Sequence, residues 1–335
     1  MELLQINPVK HREELLVIEH EAPTVEKVST GKPFIEANSI ECSLKEIREV
    51  HTIPVFIKDN EPLISQAEFI DATMQVAREV FEGETILSPS IRLSHEIKGR
   101  IPSAKDKPVS QLLENEKTVY FERMAYIIEV PSISRVVDGC NLSLTIGGVK
   151  SYNQDNLYSR KGTSDEHFKI FIGFKNSVCT NLCVSSDGFI SNLRVSDINQ
   201  LKINIRALLQ NFNQHYFYNS LENLSQYYIT EEQFAKLVGR CKMYAHLPKA
   251  IQNTIPQMMF GEAQLTTVVR DYYKDNSFCK NDDGTINLFK LYSLFTGANK
   301  SSYIDSFIDR GVNAFSFVYA IKMALDEKQQ NWFLN

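Results

Sequence analysis

The first sustained pattern along the chain is helical. Ser65 and Glu68 stand at capping-box spacing, and Phe69, Ile70, Val76, Ala77, Val80 and Phe81 form an apolar stripe that ends at Gly83. The period then drops to two. Residues 86–93, 118–130, 141–149, 167–174, 177–185 and 189–195 alternate or run apolar at strand length, which predicts strands. Asp138-Gly139 and Asp187-Gly188 have hairpin-turn composition, and Lys175-Asn176 is a third candidate turn. A short helix is predicted over 109–116, behind Pro108.

From Asp197 onward the pattern is helical almost to the end, with helices predicted near 198–211, 213–225, 262–273, 287–296, 302–309 and 313–327. Thr230 and Gln233 form a second capping pair, leading into Phe234, Leu237 and Val238. Strands followed by helices predict an α+β fold: a largely antiparallel sheet over about 84–195, then a mostly helical C-terminal part. The sheet region, 63–196, and the helical region, 197–335, can pack as one domain or stand as two.

Residues 1–62 read differently. Pro8, Pro23, Pro33, Pro54 and Pro62 interrupt each candidate helix, leaving room for one short amphipathic piece around 43–50. The segment holds 12 Asp and Glu against 7 Lys and Arg. It reads as an acidic, loosely packed arm. The rest of the chain then carries 29 charges of each sign, so the body is neutral although the whole chain has a net charge of -5.

Composition adds exclusions. With 335 residues, 43% hydrophobic and a mean hydropathy of -0.24, the chain is neither collagen-like nor wholly disordered. No uninterrupted apolar run reaches about eighteen residues, so no membrane span is expected. The start lacks a basic stretch followed by an apolar one, and six cysteines include no Cys-x-x-Cys pair. A cytoplasmic protein with reduced thiols is expected.

Four motifs fail on inspection. Asn281-Asp282-Asp283-Gly284 resembles a calcium loop, but the required acidic first and last ligands would be Cys279 and Lys290. The stretch 296–302 lacks the paired glycines of a phosphate loop. There Gly297 is expected to end one helix, and Ser301 or Ser302 to cap the next with Asp305. His95-Glu96 starts a zinc-protease motif that Arg100 does not complete. Cys179 and Cys183, four apart in a strand, would lie about 13 Å from each other, too far to share a metal. No metal or cofactor is expected.

Two loops carry the binding chemistry. Residues 92–107 hold Arg92, Lys98, Arg100, Lys105 and Lys107 against Glu96 and Asp106, and should form an extended exposed loop with Pro102 and Pro108. Residues 150–161 offer Tyr152, Tyr158, Arg160 and Lys161 in a polar loop after a strand. Lys98, Arg100, Lys105, Lys107, Arg160 and Lys161 around one groove, with Tyr152 and Tyr158 for stacking, would suit single-stranded nucleic acid. Lys300, Ser301 and Ser302 at a helix start could attract an anion. His167, Cys179 and Asn181, on one face of two paired strands, offer an enzyme reading.

Longer strings carry a resemblance. SHEIKGRIP at 94–102, EKTVYFERM at 116–124, LTIGGVK at 144–150, DEHFKIFIGF at 165–174, DYYK at 271–274 and FTGANKSSYID at 295–305 are similar to a Bacteroidetes family of unknown function associated with conjugative and other mobile elements. The match spans roughly 50–325 and leaves the arm outside. VCTNL at 178–182 also resembles a segment of phage- and plasmid-like proteins of unknown function. These likenesses imply a mobile-element setting and DNA maintenance or recombination, but no catalytic residue. The expected function is therefore non-enzymatic binding of single-stranded nucleic acid. Its rivals are an enzyme and a protein-interaction or host-defence factor whose acidic arm engages a protein partner.

Overall fold

Asp138 and Gly139, both with positive φ (47° and 76°), close a two-residue hairpin between the two longest strands and set the register of the sheet. The structure is a computed structural model, and it describes residues 32–50, 63–158 and 165–335. Its elements are β1 (Ile40–Cys42), α1 (Leu44–Val50), α2 (Gln66–Val80), β2 (Ser90–Leu93), β3 (Glu96–Arg100), β4 (Lys117–Phe121), β5 (Arg123–Val137), β6 (Cys140–Ser151), α3 (Tyr152–Tyr158), β7 (Glu166–Asn176), β8 (Leu182–Cys183) and β9 (Phe189–Val195). Then follow α4 (Ile198–Asn211), α5 (Gln214–Leu224), β10 (Tyr228–Ile229), α6 (Glu231–Tyr244), α7 (Lys249–Gln252), α8 (Glu262–Lys274), β11 (Ile286–Asn287), α9 (Leu288–Asn299) and α10 (Ile304–Asp326).

The fold is α+β. An antiparallel sheet runs in the order β1-β2-β5-β6-β7-β8, with β9 also paired to β7, and helices follow it in the chain. Alternation along the long strands sorts side chains onto two faces. Met124, Tyr126 and Ile128 of β5, Leu144 and Ile146 of β6, and Phe168, Ile170, Ile172 and Phe174 of β7 enter a core shared with α2, α4, α5, α9 and α10. Ala125, Ile127, Val149 and Phe171 face the other way, beneath Phe34, Ile35, Ile304 and Phe307. Pro131, which cannot donate to a ladder, sits in the register shift between Val130 and Ser134.

Both capping boxes form. Ser65 accepts from the Glu68 N–H and Thr230 from the Gln233 N–H, with reciprocal side-chain bonds. Phe69 then packs edge-on to Tyr126 and Phe168, at centroid distances of 5.1 and 4.9 Å. Its ring reaches so close to the sheet that a Cβ on Gly148 would stand 2.5 Å from its Cζ.

Several expectations are corrected. The stretch 92–107 is not a free loop: it contains the end of β2 and all of β3. The predicted strand 118–130 breaks at Glu122 into β4 and β5, and the helix expected over 109–116 is two separate 3-10 turns. Strand 177–185 shrinks to Leu182–Cys183, because residues 177–180 turn the chain and Thr180 takes φ 59°. Lys175 and Asn176 belong to β7 rather than to that turn. The helices expected at 302–309 and 313–327 are one 23-residue helix, α10. Of the arm expected to be loosely packed, residues 1–31 and 51–62 lie outside the described residues. Within 32–50, Phe34 and Ile35 are buried and β1 pairs with β2.

Candidate binding surface

Strands β3 and β4 form a two-stranded ribbon separate from the main sheet, in register from Glu96 opposite Phe121 to Arg100 opposite Lys117. Four of the sequence candidates gather on it and on the segment that connects its strands. Lys98 is exposed and pairs with Glu96 at 2.8 Å, a contact that raises its ammonium pKa. Arg100 turns inward and donates to the carbonyls of Lys107 and Lys105, stapling the connecting segment. Lys107 pairs with Glu116, whose carboxyl is held below its ordinary range by that bond. Lys105 is exposed.

Lys117 pairs with Glu114 at 2.6 Å. Residues 96–121 therefore carry five cations against four carboxylates, and Glu114 and Glu116, which follow the 92–107 stretch, offset part of its charge excess. Beside these charges the connecting segment exposes Val109 and Leu113, at 70% and 60%. A surface with both signs and apolar side chains suits a protein better than a phosphate backbone.

The second candidate loop is not a loop where it is described. Lys150 and Ser151 end β6, and Tyr152–Tyr158 is helix α3. Tyr152 is 1% exposed, and its hydroxyl accepts from the Gln66 N–H at 3.3 Å, so its ring has no open face for a base. The side chain of Tyr158, and Arg160 and Lys161, lie outside the described residues. Of the groove expected between two loops, the described residues supply the ribbon side alone.

A buried ionic cluster replaces the rest. Lys150 lies under the Phe168 ring, 4.1 Å from its centroid, and its Nζ donates to Glu166 Oε2 and Asp155 Oδ2, each at 2.8 Å. Glu166 also accepts from the Ile64 N–H at 2.8 Å, and Asp155 from the His167 N–H at 2.7 Å. Burial pushes the Glu166 carboxyl up while Lys150 pulls it down. Such a cluster ties β6, α3, β7 and the segment ahead of α2 together. The sequence signal for it was Lys150 at the end of an apolar strand, which reads equally well as a strand terminus.

The enzyme reading fails on distance. His167 opens β7 and is paired with Arg194 of β9, whereas Cys179 lies beyond Asn176 at the other end of that strand. Nine residues of strand separate His167 from Asn176, about 30 Å. Burial raises the Cys179 thiol, and Asn181 spends its amide on the Ser293 carbonyl at 3.0 Å. Among the described residues no group of three or more His, Cys, Asp or Glu is placed to hold a metal ion.

The anion site at 300–302 is also corrected. Lys300 is 6% exposed, and its Nζ donates to the Cys179 carbonyl and to Thr180 Oγ1. Ser301 donates to the Ala298 carbonyl, and Ser302 is buried between Asn299, Gln264 and Arg310. Gly297 lies inside α9 and Tyr303 is the N-cap of α10, with no side-chain cap bond. Asp305 binds Arg123 and Ser151 instead, at 2.6 and 2.5 Å. The three candidates close the turn after β7 and the α9–α10 corner. They present no anion cradle.

Against known proteins, residues 13–334 match the profile of a family described as a domain of unknown function, B. Theta Gene description (DUF3871). That span takes in most of the arm expected to fall outside the resemblance. No curated protein and no solved structure matches the chain. No helix among the described residues is long and apolar enough to cross a membrane.

Proposed function

We propose, from the premise that this chain belongs to that family of unknown function, that it acts by binding rather than by catalysis and that its ribbon β3–β4 docks on a protein partner. The observation that carries this reading is the ribbon itself: it stands apart from the sheet, Lys98, Lys107 and Lys117 are paired with carboxylates, and Val109 and Leu113 are exposed beside them. A partner with its own charges and apolar side chains would satisfy all three features. The cytoplasm and a mobile-element setting belong to the same proposal.

Single-stranded nucleic acid is the second reading, favoured by Lys98 and Arg100 on β3 and Lys105 and Lys107 in the segment that connects it to β4. Phosphates would have to displace Glu96 and Glu116 to reach two of these cations. A role in DNA maintenance or recombination would follow from this reading alone.

One experiment separates the two. A photocrosslinking side chain is placed at 109 or 113 in cells, and labelled oligonucleotides are titrated against the purified protein at low salt. A discrete protein adduct that disappears with Val109→Asp, Leu113→Asp supports the first reading. Oligonucleotide binding that weakens steeply with salt, and is lost in Lys98→Glu, Lys105→Glu, supports the second. Neither adduct nor binding would remove the ribbon from both.

A further inference from the structure

A groove of about 550 Å³ opens between α5, the C-terminal half of α10 and the turn before β9. Its long wall is aromatic. Phe315 and Tyr319 stack at 5.6 Å between centroids, and Tyr216, which is 60% exposed, lines the groove with them. Its charged positions are Asp187, in the turn, and Glu327, at the C-terminal end of α10, both exposed. No lysine, arginine or histidine is among the described residues lining it. Lys322, on the same helix, is held by Asp326 at 2.7 Å and lies over the Tyr227 ring.

Both charged side chains lining the groove are therefore acidic. Their carboxylates contribute negative charge, and so does the C-terminal end of a 23-residue helix, where the helix dipole places partial negative charge. Tyrosine and phenylalanine faces attract cations through their ring quadrupole while offering apolar surface to an alkyl stem. Along the remaining wall the chain doubles back after Lys328, at φ 52°, and the Gln329 N–H bonds the Ala324 carbonyl at 2.9 Å. This sets the exposed side chains of Gln329 and Gln330 along the rim, while buried Asn331 accepts from the Phe333 N–H behind them. Phe333, fully buried against Phe317 at 4.8 Å, anchors that tail, so the wall is part of the folded body.

We infer that the groove bounded by Asp187, Tyr216, Tyr319 and Glu327 is a binding site for an extended basic peptide. The carboxylates meet the ammonium or guanidinium, the rings pack the stem, and the rim amides pair with the peptide backbone. A volume of about 550 Å³ lies within the range of small-ligand pockets and exceeds what one ammonium stem fills. This site is remote in sequence from the ribbon and its test does not depend on the ribbon.

The test is a titration of the full chain with a labelled, end-blocked Gly-Lys-Lys-Gly peptide, followed by anisotropy, with Gly-Glu-Glu-Gly and putrescine as controls. Saturable binding of the basic peptide is expected, weakened roughly tenfold by Asp187→Asn, Glu327→Gln and also by Tyr216→Ala. These three positions are exposed, so their thermal unfolding should match the parent chain. The inference is overturned if the acidic peptide binds equally well, if the variants bind as the parent does, if putrescine binds and the peptide does not, or if nothing binds.

Discussion

Lys150 Nζ and Glu166 Oε2 meet at 2.8 Å with neither side chain exposed to solvent. Removing one partner of such a pair leaves the other buried without its counter-charge, which costs about 3–5 kcal/mol. Lys150→Met should lower the free energy of unfolding by that amount in urea titrations. Adding Glu166→Gln should recover part of the loss, because an amide replaces the stranded carboxylate. A single variant as stable as the parent would show that the cluster contributes no net stability.

Gly148 is required by the approach of Phe69. An added methyl group would stand 2.5 Å from the ring, with the Lys169 carbonyl 2.9 Å away on another side. Gly148→Ala should therefore cost about 1–3 kcal/mol through overpacking. Combining it with Phe69→Leu should give a smaller loss than the sum of the two, since the leucine vacates the contested space. Strict additivity in a double-mutant cycle would rule out the contact as the cause.

His167 supplies a pH dependence. Burial, followed by the charge of Lys169, holds its imidazole below the ordinary histidine range. The unfolded chain then binds this proton more readily than the folded one, so stability rises with pH through that range and falls as pH drops below about 6.5. The folded state loses this contribution progressively until its own lower pKa is reached. His167→Gln should flatten the stability profile between about pH 5 and 6.5 relative to the parent. Superimposable profiles would locate the titration elsewhere.

The thiols should differ in reactivity. Burial first, and then the charge of Glu46, push Cys42 up to about 11, so only about one molecule in a thousand carries its thiolate at pH 8. Cys183 and Cys241 are buried, and their pKa values are raised by desolvation. Alkylation of the native protein at pH 8 should leave both untouched and modify Cys42 slowly. Glu46→Gln should speed modification at Cys42 alone. Fast labelling of Cys241 without denaturant would contradict its place in the core.

The sequence carried the fold further than the site. Helix starts were legible because Ser65 with Glu68 and Thr230 with Gln233 are local signals, complete within one turn. The strand faces were legible because alternation is local too. Ribbon β3–β4 was not, since Lys107 and Lys117 find Glu116 and Glu114 beyond the 92–107 stretch, and Arg100 spends its donors on backbone carbonyls. Lys300 misled for a similar reason. Its partners, Cys179 and Thr180, lie more than a hundred residues away, and only the closed turn after β7 brings them to its ammonium. Tyr152 looked like a stacking platform until its neighbour proved to be α2, through Gln66.

The short segment ahead of β1 has a consequence for how the chain matures. Phe34 and Ile35 lie on the second sheet face against Phe307, and the Glu36 and Ala37 N–H groups both bond the Lys300 carbonyl. The stretch at 34–37 thus waits for partners from the α9–α10 corner, more than 250 residues later in the chain. Until then that side of β5, β6 and β7 is an open apolar surface, although every strand of those three has already emerged. The segment closes a loop of more than 250 residues, and the entropy of closing so long a loop places its docking late in folding.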